Sequence, residues 1–304
     1  MSTEQLRYNL SGATMGTRFS AVLQAPAGLD TAAIGAALQA AVDSVDRQMS
    51  TWNPDSDLMR LNAAPCGQLL AVPDELLWVL VSALQVSVAS GGAFEIAVGE
   101  LVKAYGFGPQ PSSGRTPGRP VRASEALEID PALKRVRKHA PLTLDLNGIA
   151  KGFAVDEMAR CLEAHGIDAY LVGIDGEMRA RGVKADGSDW KVALERPVRG
   201  RREVLGALDL SDIAIATSGD YRHWRERDAK TYSHTMDPAA GEPLQSNLAS
   251  VSVLCTSCMY ADAWATALMV LGLERGRALA ERQGLGAIFV LREGDELREV
   301  AVGL

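Results

Sequence analysis

Between residues 169 and 254 the chain offers a run of short β-type segments, at 169–174, 190–194, 205–210, 213–217 and 250–254, separated by Gly, Asp and Pro turns. A doubly wound parallel sheet needs strands and helices in strict alternation, and this run lacks it. The helical periods lie on either side instead. Ile34, Leu38, Val42, Val45 and Met49 recur at helical spacing after Asp30, which predicts a helix over 31–49 with Asp30 as its N-cap. Pro73-Asp-Glu opens a second, with Pro and two acids in its first turn, carrying Leu76, Leu77, Leu80, Leu84 and Val88 as far as Gly91-Gly92. A third follows Asn147-Gly148 and ends at Gly166, a C′ glycine. Helices over 260–271 and 274–282 and strands over 286–291 and 297–302 close the chain. The predicted class is α+β, with mostly antiparallel sheets and flanking helices.

Composition removes several function classes. A net charge of −7, from 31 Lys+Arg against 38 Asp+Glu, gives no basic footprint for nucleic acid. No apolar run reaches the ~18 to 20 residues of a membrane span. The start, MSTEQLRYNL, lacks a basic segment followed by an apolar one, so the expectation is a cytoplasmic protein, or a periplasmic one if a leader was trimmed. At 304 residues, the chain is read as a single unit over 1–304 with an exposed loop or flap at the Pro- and Gly-rich stretch 108–120. Cys66, Cys161, Cys255 and Cys258 are too few for a disulfide-built fold. The Cys255-Thr-Ser-Cys258 pair has no second pair or nearby His to make a zinc quartet.

Chemistry concentrates at a few turns. Leu142-Thr-Leu-Asp-Leu-Asn-Gly-Ile-Ala-Lys-Gly152 runs from a strand into a helix start, where unpaired N–H groups and Lys151 suit an anion; an ordinary strand-to-helix turn with Asp145 as a local acceptor fits equally well. Asp262 and Thr266 stand at i and i+4 and offer hard oxygens of the kind Mg²⁺ prefers. Spacing alone favours the plainer reading, an Asp near the positive end of a helix and a Thr bonded back to a carbonyl. His234, in a polar turn, is the best proton acceptor available, although a lone His is more often structural. His139, His165 and His223 sit among charged or cap positions. Met15-Gly-Thr17 and Gly91-Gly-Ala-Phe-Glu-Ile-Ala-Val-Gly99 are small-residue turns suited to close approach by a flat ligand.

Taken together, Thr14-Met-Gly-Thr17, Met49-Ser-Thr-Trp-Asn-Pro-Asp-Ser-Asp-Leu-Met-Arg-Leu-Asn62, Gly92-Ala-Phe-Glu-Ile-Ala-Val-Gly99, Asp145-Leu-Asn-Gly-Ile-Ala-Lys-Gly152, Ser233-His-Thr-Met-Asp-Pro238 and Ala261-Asp-Ala-Trp-Ala-Thr266 resemble the ApbE family of FAD:protein FMN transferases, over about residues 14–272. The resemblance implies a two-lobed single chain that uses Mg²⁺ and FAD. It implies transfer of the FMN moiety to a Thr or Ser hydroxyl of an acceptor flavoprotein bearing a D-x-x-[ST]-G-A-T-like site, with AMP leaving. By the same resemblance, Met15 and Trp52 would pack on the flavin or adenine, Ala93, Phe94 and Glu95 would line the FAD pocket, and Asp145 and Lys151 would hold the nucleotide. The Gly148 carbonyl, Asp262, the Ala265 carbonyl and Thr266 would ligate Mg²⁺. Thr235 would touch FAD through its backbone, and His234 would orient or deprotonate the acceptor hydroxyl, with Asp237 nearby. The family usually shows Asp where Glu95 stands, a bulky aliphatic at Thr235, and Gly-Gly at Asp175-Gly176. Asp212-Ile-Ala-Ile-Ala-Thr-Ser218 is the nearest stretch to an acceptor site in the chain itself, but Ile215 and Ala216 break the pattern, so self-modification is not expected. Two other readings use the same residues: an Mg²⁺-dependent FAD pyrophosphatase, and a flavin-binding protein without catalysis.

Overall fold

The structure is a computed structural model that describes residues 5–109, 118–222, 224–227, 230–294 and 296–304. It opens with a hairpin, β1 (Gln5–Thr14) and β2 (Thr17–Pro26), turned by Met15-Gly16 with φ of 47° and 72°. Two consecutive positive φ angles give a tight hairpin turn the twist its strands require. They also hold a non-glycine residue, Met15, in the left-handed region. Next comes α1 (Thr31–Met49), capped as expected by Asp30, whose carboxylate accepts from the Ala32 and Ala33 N–H groups at 3.1 and 3.0 Å. Its stripe of Ile34, Leu38, Val42, Val45 and Met49 is buried.

A subsidiary layer follows: α2 (Asp57–Ala63), β3 (Leu69–Ala71), α3 (Asp74–Ala89), α4 (Gly99–Ala104), α5 (Ala123–Ala126), β4 (Leu127–Asp130) and β5 (Arg135–Lys138), with the strands ordered β3-β5-β4. Pro73 occupies the N-cap of α3, one position ahead of the first turn expected for it. The third long helix, α6 (Ala150–Ala164), ends as its pattern indicates, with Gly166 at φ 73°. The β-rich stretch then supplies β6 (Tyr170–Ile174), β7 (Glu177–Arg181), β8 (Trp190–Glu195), β9 (Val204–Leu210), β10 (Ala214–Gly219), β11 (Trp224–Arg227), β12 (Lys230–Ser233), β13 (Met236–Asp237), β14 (Glu242–Pro243) and β15 (Leu248–Cys255). Last come α7 (Cys258–Gln283), β16 (Gly286–Glu293) and β17 (Glu296–Val302). The two helices expected at 260–271 and 274–282 run end to end within α7, broken where Gly272 leaves helical geometry at φ 73°, ψ 179°.

The main sheet has eight strands in the order β1-β2-β6-β7-β10-β15-β16-β17, and each of these neighbours pairs antiparallel. Alternation along each strand gives the sheet two buried faces. Phe19, Val172, Ala214, Val253 and Phe289 point into a core shared with α1, α6 and α7. Ile215, Ile288 and Val290 point the other way, where the β8–β9 hairpin covers them with Trp190, Val192, Leu194 and Leu210. Burial of each such aliphatic or aromatic side chain contributes about 1.5 to 3 kcal/mol, so the hairpin is fastened to the sheet by apolar area at its base.

Among the described residues no helix is long and apolar enough to cross a membrane. The four cysteines are free, and Cys258 is fully buried, with burial pushing its thiol well above its ordinary value. Of the loop expected at 108–120, residues 110–117 lie outside the described residues, as does His223.

Candidate functional site

The site is built where α6 crosses the start of α7. Gly152 sits at the crossing: a Cβ there would stand 2.3 Å from the Cys258 carbonyl oxygen and 2.8 Å from the Asp262 Cβ, so only glycine lets the helices approach this closely. The Gly152 N–H donates to Asp262 Oδ2 at 3.0 Å. One turn along α6, the Asp156 carboxylate accepts from the Cys258 and Met259 N–H groups, each at 3.0 Å, and from the Ser257 hydroxyl at 2.7 Å. A carboxylate from one helix thus satisfies the open N-terminal donors of the other and lies at the positive end of its dipole. These contacts fix where Asp262 stands.

Around Asp262 the charges do not balance. Lys151 donates to Glu177 Oε1 at 2.8 Å, while Glu177 Oε2 is buried without a hydrogen-bond partner. Burial pushes the Asp262 carboxyl up to about 8, and the Glu177 charge adds to the shift, against the opposing pull of Lys151 and the Gly152 N–H. Burial by itself would lower the Lys151 ammonium, but the Glu177 and Asp262 carboxylates outweigh it and hold the group well above its ordinary value. Asp262 therefore keeps its proton near neutral pH beside the Lys151–Glu177 pair, and a further cation at this point would favour its ionised form.

Two hydroxyls stand beside it. Thr266, one turn after Asp262, exchanges a hydrogen bond with the Ser218 hydroxyl at 3.0 Å. A Cβ on Gly148 would lie 3.1 Å from Thr266 Oγ1 and 3.3 Å from the Phe94 ring, so glycine at 148 keeps the backbone against that hydroxyl. Among the described residues no cluster of three or more His, Cys, Asp or Glu side chains is placed to hold a metal. An ion at this point has to draw on hydroxyls, carbonyls and substrate oxygens as well, the habit of Mg²⁺.

On the same wall, Glu95 Oε1 accepts from the N–H groups of Ala97 at 2.8 Å and Ala123 at 3.1 Å. Burial raises its carboxyl above the ordinary 4.5, and those N–H donors partly offset the effect. The stability held by the protonated form is thus complete below about pH 4.5 and lost as pH rises through the folded value. Glu95→Gln keeps an oxygen for both donors and has no proton to lose, so urea titrations are expected to show it gaining on the wild type as pH rises above about 4.5. Glu95→Ala strands both donors and is expected to lose about 2 to 4 kcal/mol. Asp145 is buried too, accepts from the Asn147 N–H at 2.9 Å, and is likewise raised by burial.

These walls enclose a cleft of about 1670 Å³, larger than the ~300 to 1,000 Å³ of an ordinary small-molecule site. It brings together Met15, Trp52, Ala93, Phe94, Glu95, Asp145, Gly148, Lys151, His234, Thr235, Asp262 and Thr266, residues spread over the whole chain. Ala265 is fully buried beside Thr266 and does not line the cleft, so its side chain takes no part in the wall. Trp52 is 63% exposed, an indole face at the rim with room for a flat ring. Phe107 meets the His234 ring edge-on with centroids 6.4 Å apart.

Sequence reasoning missed Glu177, Asp156 and Arg222. Arg222 bridges the Asp175 and Glu195 carboxylates across the cleft wall. Each of the three is a charged residue whose role is visible only when segments far apart in sequence meet, and in β7, EMRAR, Glu177 shares the face of Arg179 and Arg181, which reads from sequence as the exposed one.

A family model described as the ApbE family matches residues 15–289. A Vibrio cholerae protein named FAD:protein FMN transferase is 37% identical over 302 residues, covering 96% of this chain and 90% of its own. One of the same name from Escherichia coli K12 is 33% identical over 299 residues, covering 95% and 85%. The solved structure of Pseudomonas stutzeri flavinyl transferase ApbE, in its apo form, matches with a TM-score of 0.88 at 37% identity, covering 99% of this chain and 96% of that one.

Proposed function

This chain belongs to the ApbE family, and from that premise we infer that it is an enzyme that moves the FMN moiety of FAD onto an acceptor protein in the cleft described above. The observation that carries the reading is the gathering of two buried acids, a lysine paired to one of them, a histidine and an exposed indole in one cleft large enough for a dinucleotide and an acceptor segment.

In this reading Met15 and Trp52 pack on the flavin or the adenine of FAD, and Ala93, Phe94 and Glu95 line its pocket. Asp145 and Lys151 hold the nucleotide, and the Thr235 backbone touches it. Asp262, Thr266 and the carbonyls of Gly148 and Ala265 are the oxygen donors that would hold Mg²⁺, and the Glu177 oxygen buried without a partner beside Lys151 supports that fit. When bound, the ion would neutralise charge on the pyrophosphate.

A Thr or Ser hydroxyl of the acceptor attacks the phosphorus that carries riboflavin. The new P–O bond joins FMN to the acceptor as a phosphoester while the P–O bond to AMP breaks, and AMP leaves with the electron pair. The hydroxyl proton passes to an imidazole nitrogen of His234. Lys151, fixed by Glu177, keeps a positive charge facing the pyrophosphate throughout, and the cleft walls supply orientation.

The direct test incubates the chain with FAD, Mg²⁺ and a domain bearing the D-x-x-[ST]-G-A-T pattern, then reads flavin fluorescence on a denaturing gel beside AMP release. Fluorescence on the acceptor with matching AMP is expected. AMP without labelling would favour hydrolysis or a wrong acceptor, and neither product would leave only flavin binding. Trp52→Ala removes a stacking face worth about 1 to 2 kcal/mol, so the Kd for FAD is expected to rise about tenfold in a flavin-fluorescence titration.

A further inference from the structure

The tip of the β8–β9 hairpin, Arg196-Pro-Val-Arg-Gly-Arg-Arg-Glu203, carries four arginines against one glutamate, a local charge of +3 on a chain whose net charge is −7. Its position is fixed from below. Glu195, at the end of β8, accepts from Arg222 Nε at 2.9 Å. Arg292, paired bidentately with Asp220 at 2.7 Å, donates to the Pro197 carbonyl at 3.2 Å. The Arg196 N–H closes the tip on the Glu203 carbonyl at 2.7 Å, and the Arg199 guanidinium lies 5.2 Å from the Trp224 ring centre.

The positive charge is not used up locally. Arg196 and Arg201 share Glu203 at 4.0 and 3.8 Å, and Arg202 reaches Glu195, already engaged by Arg222, only at 4.0 Å. The Arg201 and Arg202 side chains are 75% and 84% exposed, yet Val198, Gly200, Arg201 and Arg202 all line the cleft. Exposed pairs at such distances hold little energy, so both guanidinium groups are available to a partner at small cost.

We propose that this tip is the docking surface for an acidic segment of the acceptor protein, next to the hydroxyl that receives FMN. The proposal rests on the transferase reading above. Of the nucleotide-handling groups, Asp262 is buried and the Lys151 side chain is only 28% exposed, whereas the arginines stand at the open rim of the cleft, where a macromolecule rather than the dinucleotide makes first contact. A rim of one sign steers an oppositely charged partner and fixes its register, and arginine forks bind carboxylates in pairs.

The test uses the full chain, FAD, Mg²⁺ and a purified acceptor domain bearing D-x-x-[ST]-G-A-T. In the double variant Arg201→Glu with Arg202→Glu, the KM for the acceptor is expected to rise about tenfold or more, with kcat and the Kd for FAD within about twofold of wild type. Arg201→Lys with Arg202→Lys is expected to keep most of the acceptor affinity, and raised salt should lift the wild-type KM toward that of the reversed variant. Replacing the motif Asp of the acceptor by Lys is expected to restore part of the loss in the reversed variant. An unchanged acceptor KM at low salt would overturn the proposal. So would an equal rise in the Kd for FAD, since the tip would then serve the dinucleotide. A wild type that binds FAD but labels no acceptor would sink the transferase reading, and the docking surface with it.

Discussion

Replacing Asp262 by Ala is expected to lower FMN transfer by a thousandfold or more, about 4 kcal/mol of transition-state stabilisation at about 1.4 kcal/mol per tenfold. The residue is buried at the α6–α7 crossing and is the one acidic side chain in the proposed Mg²⁺ set. The alanine variant also strands the Gly152 N–H, so folding and function are confounded in it. Asp262→Asn separates them. Its amide oxygen still accepts from Gly152 and it removes one of two crowded acids, so its melting temperature is expected to equal or exceed that of wild type while transfer is lost to the same degree. A binding readout accompanies this: Mg²⁺ is expected to raise the wild-type melting temperature, since an ion at a hundred times its Kd stabilises the native state by about 2.7 kcal/mol, and to leave the asparagine variant unmoved. AMP release at the wild-type rate by either variant would remove Asp262 from the proposed metal site.

Gly152→Ala is expected to have a large effect for a change of one methyl group. The added carbon would meet a backbone carbonyl at 2.3 Å, and a carbonyl in a helix cannot swing aside as a side chain does. Relief requires α7 to move off α6, at a cost of about 3 kcal/mol of overpacking. The same shift draws Asp262 and Thr266 away from Gly148 and Lys151, and a misplacement of about 1 Å is enough for a hundredfold loss of rate. Urea titration and acceptor labelling on the same sample give both numbers. A variant that melts like the wild type and keeps full activity would show that the helices have slack at the crossing.

The long helices were readable because each carries its own signal, among them Asp30 before the Ile34 to Met49 stripe, Gly166 after Leu162, and Gly272 at the break in α7, whereas the short α2, α4 and α5 offer too few turns to show a period and went unread. The clustered strands at 169–254 pointed correctly to an antiparallel α+β fold. The β1–β2 hairpin went unread, although Leu6, Tyr8 and Leu10 alternate with polar residues and Met15-Gly16 marks its turn. Within the site, motif residues such as Asp145, Lys151 and Asp262 stood out by family resemblance, and the cleft gathers them. What stayed hidden is pairwise. Nothing near Glu177 in sequence says that it grips Lys151, nor does anything near Asp156 say that it caps a helix beginning a hundred residues later. Such contacts exist only once the sheet has set the helices side by side.

The main sheet lists its strands in the order the chain makes them, from β1 to β17, so no strand threads back between two already placed. Everything else in the β-rich half, including β8–β9 and β11 through β14, is an excursion between strands that are neighbours anyway. Lengthening an excursion leaves the pairing on either side intact, and doubling a loop adds only about 0.6 kcal/mol of closure entropy. The architecture therefore behaves like a fixed loom with exchangeable bobbins. A longer or shorter tip on the β8–β9 hairpin would reshape the rim of the cleft without re-weaving the cloth that holds the reacting groups.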